Sequence, residues 1–131
     1  DIARKQFRTL TPLQNNPTSQ AGNIVNEIQP YKDKLIMLTQ AGVYLFNPEQ
    51  ETFSPLTRNE DINEQLSRPY QFETFLIDSK ERLWLADSKG GLLRIHMTDN
   101  SLHRYYTNAQ DSSSIGKFRI VNIMENSKGE I

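Results

Sequence analysis

The sequence predicts an all-β chain of short antiparallel strands, and three observations predict it. A unit of 48 residues recurs: Leu35 and Leu83 head matching apolar runs, and Ile131 stands a further 48 residues on. The apolar runs last four to six residues, are rich in β-branched and aromatic side chains, and are bounded by the Gly, Pro, Asn, Asp and Ser that turn a chain. No segment keeps the helical apolar period for three turns.

The elements follow in order. Ile24-Val25-Asn26-Glu27-Ile28 is a first strand, Lys32-Asp33-Lys34 its turn, and Leu35-Ile36-Met37-Leu38 the second strand. Gln40-Ala41-Gly42 turns into Val43-Tyr44-Leu45-Phe46, and the polar run Asn47 to Glu51 turns into Thr52-Phe53-Ser54-Pro55-Leu56. The next copy runs from Phe72-Glu73-Thr74-Phe75-Leu76 through Leu83-Trp84-Leu85-Ala86 and Leu92-Leu93-Arg94-Ile95 to Leu102-His103-Arg104-Tyr105-Tyr106, with one extra glycine at Gly90-Gly91. Ile120-Val121-Asn122-Ile123-Met124 opens a third copy, and Phe7-Arg8-Thr9-Leu10 falls where the last strand of a preceding one belongs. The chain therefore divides into 1–23, a last strand and linker; 24–71 and 72–119, each a unit with its linker; and 120–131, a first strand and the start of a second. Between units, Asn59 to Leu66 has the pattern of one or two helical turns capped by Asn59, and is expected to protrude. Glu81 and Asp33 stand where the third copy has Gly129, so the second copy, with Glu, is expected to turn differently.

Runs such as Leu83-Trp84-Leu85-Ala86 are apolar on both faces, which demands cover on both sides of the sheet. Radially stacked blades supply that cover, and the repeat length is near that of propeller repeats. The expected architecture is a β-propeller fragment of about two and a half four-stranded antiparallel blades. Because a ring takes about four to eight blades, this length does not close one. Open strand edges and apolar faces then predict contact with remaining blades of a longer propeller, or self-association as a homodimer.

Composition narrows the function classes. Six Phe, five Tyr and one Trp are packing mass that a disordered chain lacks, even at 36% apolar residues. A net charge of -1 removes the electrostatic footprint of a nucleic-acid binder. The longest pure apolar run, Leu35 to Leu38, is far too short for direct membrane insertion. Cysteine is absent, so thiolate metal sites are too. Neither a phosphate-binding glycine loop nor a nucleophile triad is present, so no cofactor and no catalytic residue is expected.

The run Phe75-Leu76-Ile77-Asp78-Ser79-Lys80-Glu81-Arg82-Leu83-Trp84-Leu85-Ala86, followed by Gly90-Gly91-Leu92, resembles the two-component regulator propeller repeat. The segments Tyr105 to Asn108, Asp111 to Ile115 and Val121 to Gly129 are similar to that family's linker and following repeat. The match is good over 72–131 and looser over 24–56, where Ile36 replaces the family's Trp; Ala86-Asp87 replaces its Gly-Thr. The resemblance implies the periplasmic sensor half of a hybrid two-component regulator from a Gram-negative gut bacterium. Such a protein has tandem seven-bladed propellers, a sandwich domain, one membrane span, a histidine kinase and a DNA-binding regulator. It also implies an oligosaccharide ligand, with a non-catalytic dimerisation scaffold as the alternative.

Turns from second to third strands share a face with the linkers Thr11 to Asn23, Thr57 to Gln71 and Thr107 to Arg119. Candidate ligand contacts on that face are Arg68, Tyr70, Asp87, Lys89 and Arg119, whose charged and aromatic groups suit hydrogen bonding to and stacking on sugars. The competing explanation is ordinary solvated loop polarity. Trp84 is assigned to inter-blade core rather than to a stacking platform. His96 and His103 are assigned to the surface rather than to a metal. Asp78 with Glu73, or Asp61 with Glu64, would be the acid pair of a glycan hydrolase or lyase, against which Asp78 has the position of a turn-capping residue.

Overall fold

A computed structural model describes residues 24–69, 71–116 and 118–131, together with Leu10. Two antiparallel four-stranded meanders follow one another. The first holds β1 (Val25–Tyr31), β2 (Lys34–Thr39), β3 (Gly42–Asn47) and β4 (Thr52–Pro55); the second holds β5 (Phe72–Ile77), β6 (Arg82–Asp87), β7 (Leu92–His96) and β8 (Leu102–Tyr105). Each sheet keeps its strands in chain order. The described residues are thus mostly β, with one short helix, α1 (Glu60–Leu66), between the sheets. The strand expected at Phe7 to Leu10 and the linker Thr11 to Asn23 lie, Leu10 apart, outside the described residues.

Side-chain alternation explains how the sheets meet. On β2, Ile36 and Leu38 point one way, and on β6 Leu83 and Leu85 do. With Val43, Phe72, Phe75, Leu93 and Ile95 they form one buried cluster joining both sheets. The sheets meet most closely along β1 and β5, and side chains of β1 bond the free edge of β5. Glu27 Oε2 accepts from the Phe75 backbone N–H at 3.1 Å, Gln29 Oε1 accepts from that of Ile77 at 3.1 Å, and Gln29 Nε2 donates to the Phe75 carbonyl at 2.9 Å. An edge strand presents unpaired peptide groups, and here carboxylate and amide side chains stand in for the missing strand.

The opposite faces differ. Trp84 and Ala86 point away from the first sheet, so Trp84 is buried but is not core between the two sheets. Its ring stacks with Tyr105 at 5.9 Å and carries the guanidinium groups of Arg82 and Arg94 at 5.3 and 5.6 Å.

The helix is docked rather than protruding. Asn59 caps it as expected, its Oδ1 accepting from the Ile62 N–H at 3.2 Å. Ile62 and Leu66, four apart and so on one helix face, are buried in the shared cluster with Leu56.

The turn expectation is overturned. Glu81 adopts φ 55° and Gly129 φ 75°, and the second and third copies make the same turn. Asp78 N–H donates to the Arg82 carbonyl at 3.0 Å and Glu81 N–H to Asp78 at 3.1 Å; Asn126 to Glu130 and Gly129 to Asn126 repeat both, at 2.9 and 3.0 Å. The first copy differs instead. Pro30 occupies the position of Asp78, and a two-residue loop at Lys32-Asp33 joins the paired Tyr31 and Lys34, with positive φ on Lys32. Beyond Phe118 the chain forms no ladder, since positions equivalent to β2 start only at Glu130. That segment is nevertheless tied to the second unit: Arg119 pairs with Glu73 at 2.6 Å, and Glu125 accepts from the Ser79 N–H at 2.9 Å.

Candidate functional site

The turn between β6 and β7 organises the loops at one end of the second sheet. Asp87 N–H donates to the Gly91 carbonyl at 3.1 Å, and Gly90 N–H to the Asp87 carbonyl at 3.0 Å. Asp87 Oδ1 accepts from the Lys89 N–H at 2.8 Å, and Oδ2 accepts from Gln71 Nε2 at 3.3 Å. Ser88 N–H donates to the Gln71 carbonyl at 2.7 Å, which ties the turn to the preceding linker. Gly91 is required here: its φ is 116°, and a Cβ would lie 2.9 Å from the Tyr105 carbonyl.

Two clefts flank this turn and share Ser88, Lys89 and Tyr106. One, of about 350 Å³, is lined also by Arg68, Pro69, Gln71, Asp87 and Arg104. The other, of about 460 Å³, adds Gly90, Thr107, Phe118 and Arg119. Both volumes fall within the range of small-molecule sites. Because Gln71 precedes β5 and Arg104 lies on β8, the paired clefts span the sheet end from one edge strand to the other.

Four of the five residues picked from the sequence meet here: Arg68, Asp87, Lys89 and Arg119. Tyr70 lies outside the described residues. Gln71, Arg104, Tyr106 and Phe118 were not picked. The available signal was the adjacent pair Tyr105-Tyr106: alternation sends neighbouring side chains to opposite faces, so Tyr105 covers Trp84 while Tyr106 is 58% exposed.

Charge and polarity in the clefts are unevenly satisfied. Asp87 spends both oxygens on the turn and on Gln71, and Glu73 takes Arg119. That hydrogen bond, with the carboxylate charge, raises the Arg119 pKa above its ordinary value. Among the described residues, the side chains of Arg68, Lys89 and Arg104 have no ion pair or hydrogen bond. Gln71 Oε1 is buried without a partner, unlike every other buried side-chain polar atom among the described residues. The arrangement can offer donors to an acceptor-rich ligand, an acceptor to a hydroxyl, and an aromatic face to a ring.

The other sequence candidates are engaged elsewhere. Asp78 is fully buried in side chain and accepts from Lys80 N–H, Arg82 N–H, Arg82 Nε and Trp84 Nε1. Burial raises its pKa, but the hydrogen bonds from Trp84 and Arg82 outweigh that and hold it below the ordinary 3.8. Asp61 and Glu64 are exposed on α1. His96 Nδ1 shares a hydrogen bond with Thr98 at 2.8 Å, and His103 packs edge-on to Tyr105 at 4.5 Å. No protein-family model matches the sequence, and no curated protein matches it significantly.

Proposed function

We propose that this chain is a ligand-sensing segment of the periplasmic β-propeller of a hybrid two-component sensor, recognising an oligosaccharide and signalling across the membrane. The observation that carries the reading is that side chains join one unit to the next at sequence offsets close to the 48-residue repeat. Glu27 to Phe75 and Gln29 to Ile77 are 48 residues apart, Ser79 to Glu125 is 46, and Arg119, at the end of the linker that leads into the third copy, reaches back 46 residues to Glu73. Each unit holds its neighbour one repeat on, through residues of first strands or beside them, as successive blades around an axis do. The likeness of 72–131 to the regulator propeller repeat supports the same reading, and the loop-lined clefts supply a place for a sugar. Calorimetric titration of a panel of oligosaccharides onto the intact sensor ectodomain tests it. Heat from at least one glycan is expected; silence across the panel removes ligand sensing.

A scaffold that only mediates dimerisation is the second reading, favoured by apolar groups at both ends of the stack. Ile24, Val25 and Ile28 are 41–50% exposed at one end, and Phe118, Val121 and Met124 are 70–78% exposed at the other. Light scattering at tens of micromolar should then find self-association, and a monodisperse monomer would count against it.

A further inference from the structure

Building on the sensory reading, we infer that the ligand is an acidic sugar, whose carboxylate or sulfate oxyanion sits among Arg68, Lys89 and Arg104 while its ring lies on Tyr106. The chain as a whole is almost neutral, at -1. Yet four cations border the two clefts against two carboxylates, Asp87 and Glu73, and both carboxylates already accept hydrogen bonds. Against the single carboxylate of Asp87, whose oxygens are held by the turn and by Gln71, three cations leave this concave surface with an excess of positive charge that raises the local potential until an anion enters. Arginine offers a planar fork that matches the spacing of carboxylate or sulfate oxygens, and Arg104 is half-buried, so part of its desolvation is already met before binding.

The remaining groups specify a sugar rather than a bare anion. Tyr106 exposes its ring beside the cations, giving the C–H face of a pyranose a flat apolar partner. Gln71 lines the same cleft and its Oε1 is a buried acceptor without a partner, which a ring hydroxyl satisfies once the amide turns outward. A neutral sugar would satisfy the ring and the acceptor but leave the cations to water.

The test is calorimetry of the 131-residue chain with three galactose-based probes of equal length: a neutral galacto-oligosaccharide, an oligogalacturonide carrying only carboxylates, and a carrageenan oligosaccharide carrying only sulfates. At least one acidic probe is expected to bind about tenfold or more tightly than the neutral one, the equivalent of one charge-assisted hydrogen bond. Which acidic probe wins identifies the oxyanion. Arg104→Gln and Lys89→Met, each with unchanged circular dichroism, should weaken the acidic probe by a larger factor than the neutral one and so remove that advantage. Tyr106→Ala should weaken both kinds. Equal affinity for neutral and acidic probes, or acidic binding indifferent to both charge variants, overturns the acidic-sugar inference and leaves the sensory reading standing. Inorganic sulfate displacing the probes at their own affinity overturns the ring contact. No binding by any probe also counts against the inference, and only a silent ectodomain panel carries the sensory reading down with it.

Discussion

Asp78 is the residue on which the turn of the second unit depends. Its buried carboxylate satisfies two backbone N–H groups, Arg82 and the indole of Trp84 at once. Asp78→Ala strands these donors, so chemical denaturation should show a loss of roughly 3 kcal/mol. The third copy solves the same turn with opposite chemistry. Asn126 Oδ1 takes the backbone N–H groups of Lys128 and Glu130, and Asn126 Nδ2 donates to Glu130 at 2.6 Å, where Asp78 accepts from Arg82. Asp78→Asn alone should therefore destabilise, and adding Arg82→Glu should recover about 1 kcal/mol or more of coupling in a double-mutant cycle. The acid limb follows from the lowered pKa of Asp78. A depressed folded value means that the stabilisation is complete above the ordinary 3.8 and fades as pH falls through the folded value, so the gap between wild type and Asp78→Asn should shrink below pH 3.8. Glu81 pays a left-handed conformation for the same turn. Its partner Lys32, at 3.1 Å, is well exposed and contributes little. Glu81→Gly should raise stability by about 0.5–1 kcal/mol, read as a higher denaturation midpoint.

At the scale of elements, the docking of α1 rests on Gly42. A Cβ at that position would lie 2.2 Å from the Leu66 carbonyl and 2.7 Å from Ser67 Cα, and the residue's φ of 129° is one that other side chains rarely adopt. The end of the helix thus sits directly on the turn entering β3. Gly42→Ala should cost roughly 2–4 kcal/mol, because both the backbone of the turn and the seat of the helix have to move. Thermal unfolding measures the loss, and increased hydrogen exchange in α1 would locate it. Part of this element was legible in advance: Asn59 three residues before Ile62 marks a cap, and Ile62 with Leu66 marks an apolar stripe. Its burial was not legible, since a two-turn stripe does not say which surface it meets.

Across the whole molecule, the two sheets are joined by an apolar core and by the polar clasp from β1 to the free edge of β5. Replacing both Glu27 and Gln29 by Ala should leave each sheet's strands intact but unprotect the amides of Phe75 and Ile77, with a combined loss of about 2 kcal/mol. Hydrogen exchange resolved by residue checks this: unchanged protection at those two amides would mean that the clasp is incidental. The clasp is not repeated in kind, because the positions matching Glu27 and Gln29 in the second copy are Phe75 and Ile77. The next junction uses Arg119 with Glu73 and Glu125 with Ser79 instead.

The sequence by itself determined where the strands, their turns and the 48-residue unit lie. Turn chemistry and apolar runs act over a few residues and need no distant partner. The polar loop residues Arg68, Asp87, Lys89 and Arg119 could be picked out on the same local grounds. Tertiary structure alone decided that Trp84 faces away from the first sheet, that α1 is buried, and that Arg104, Tyr106 and Gln71 complete the clefts. Facing depends on which side of a sheet its neighbour packs against, and convergence depends on the path of linkers over a sheet end. Neither quantity is written in any short stretch of chain.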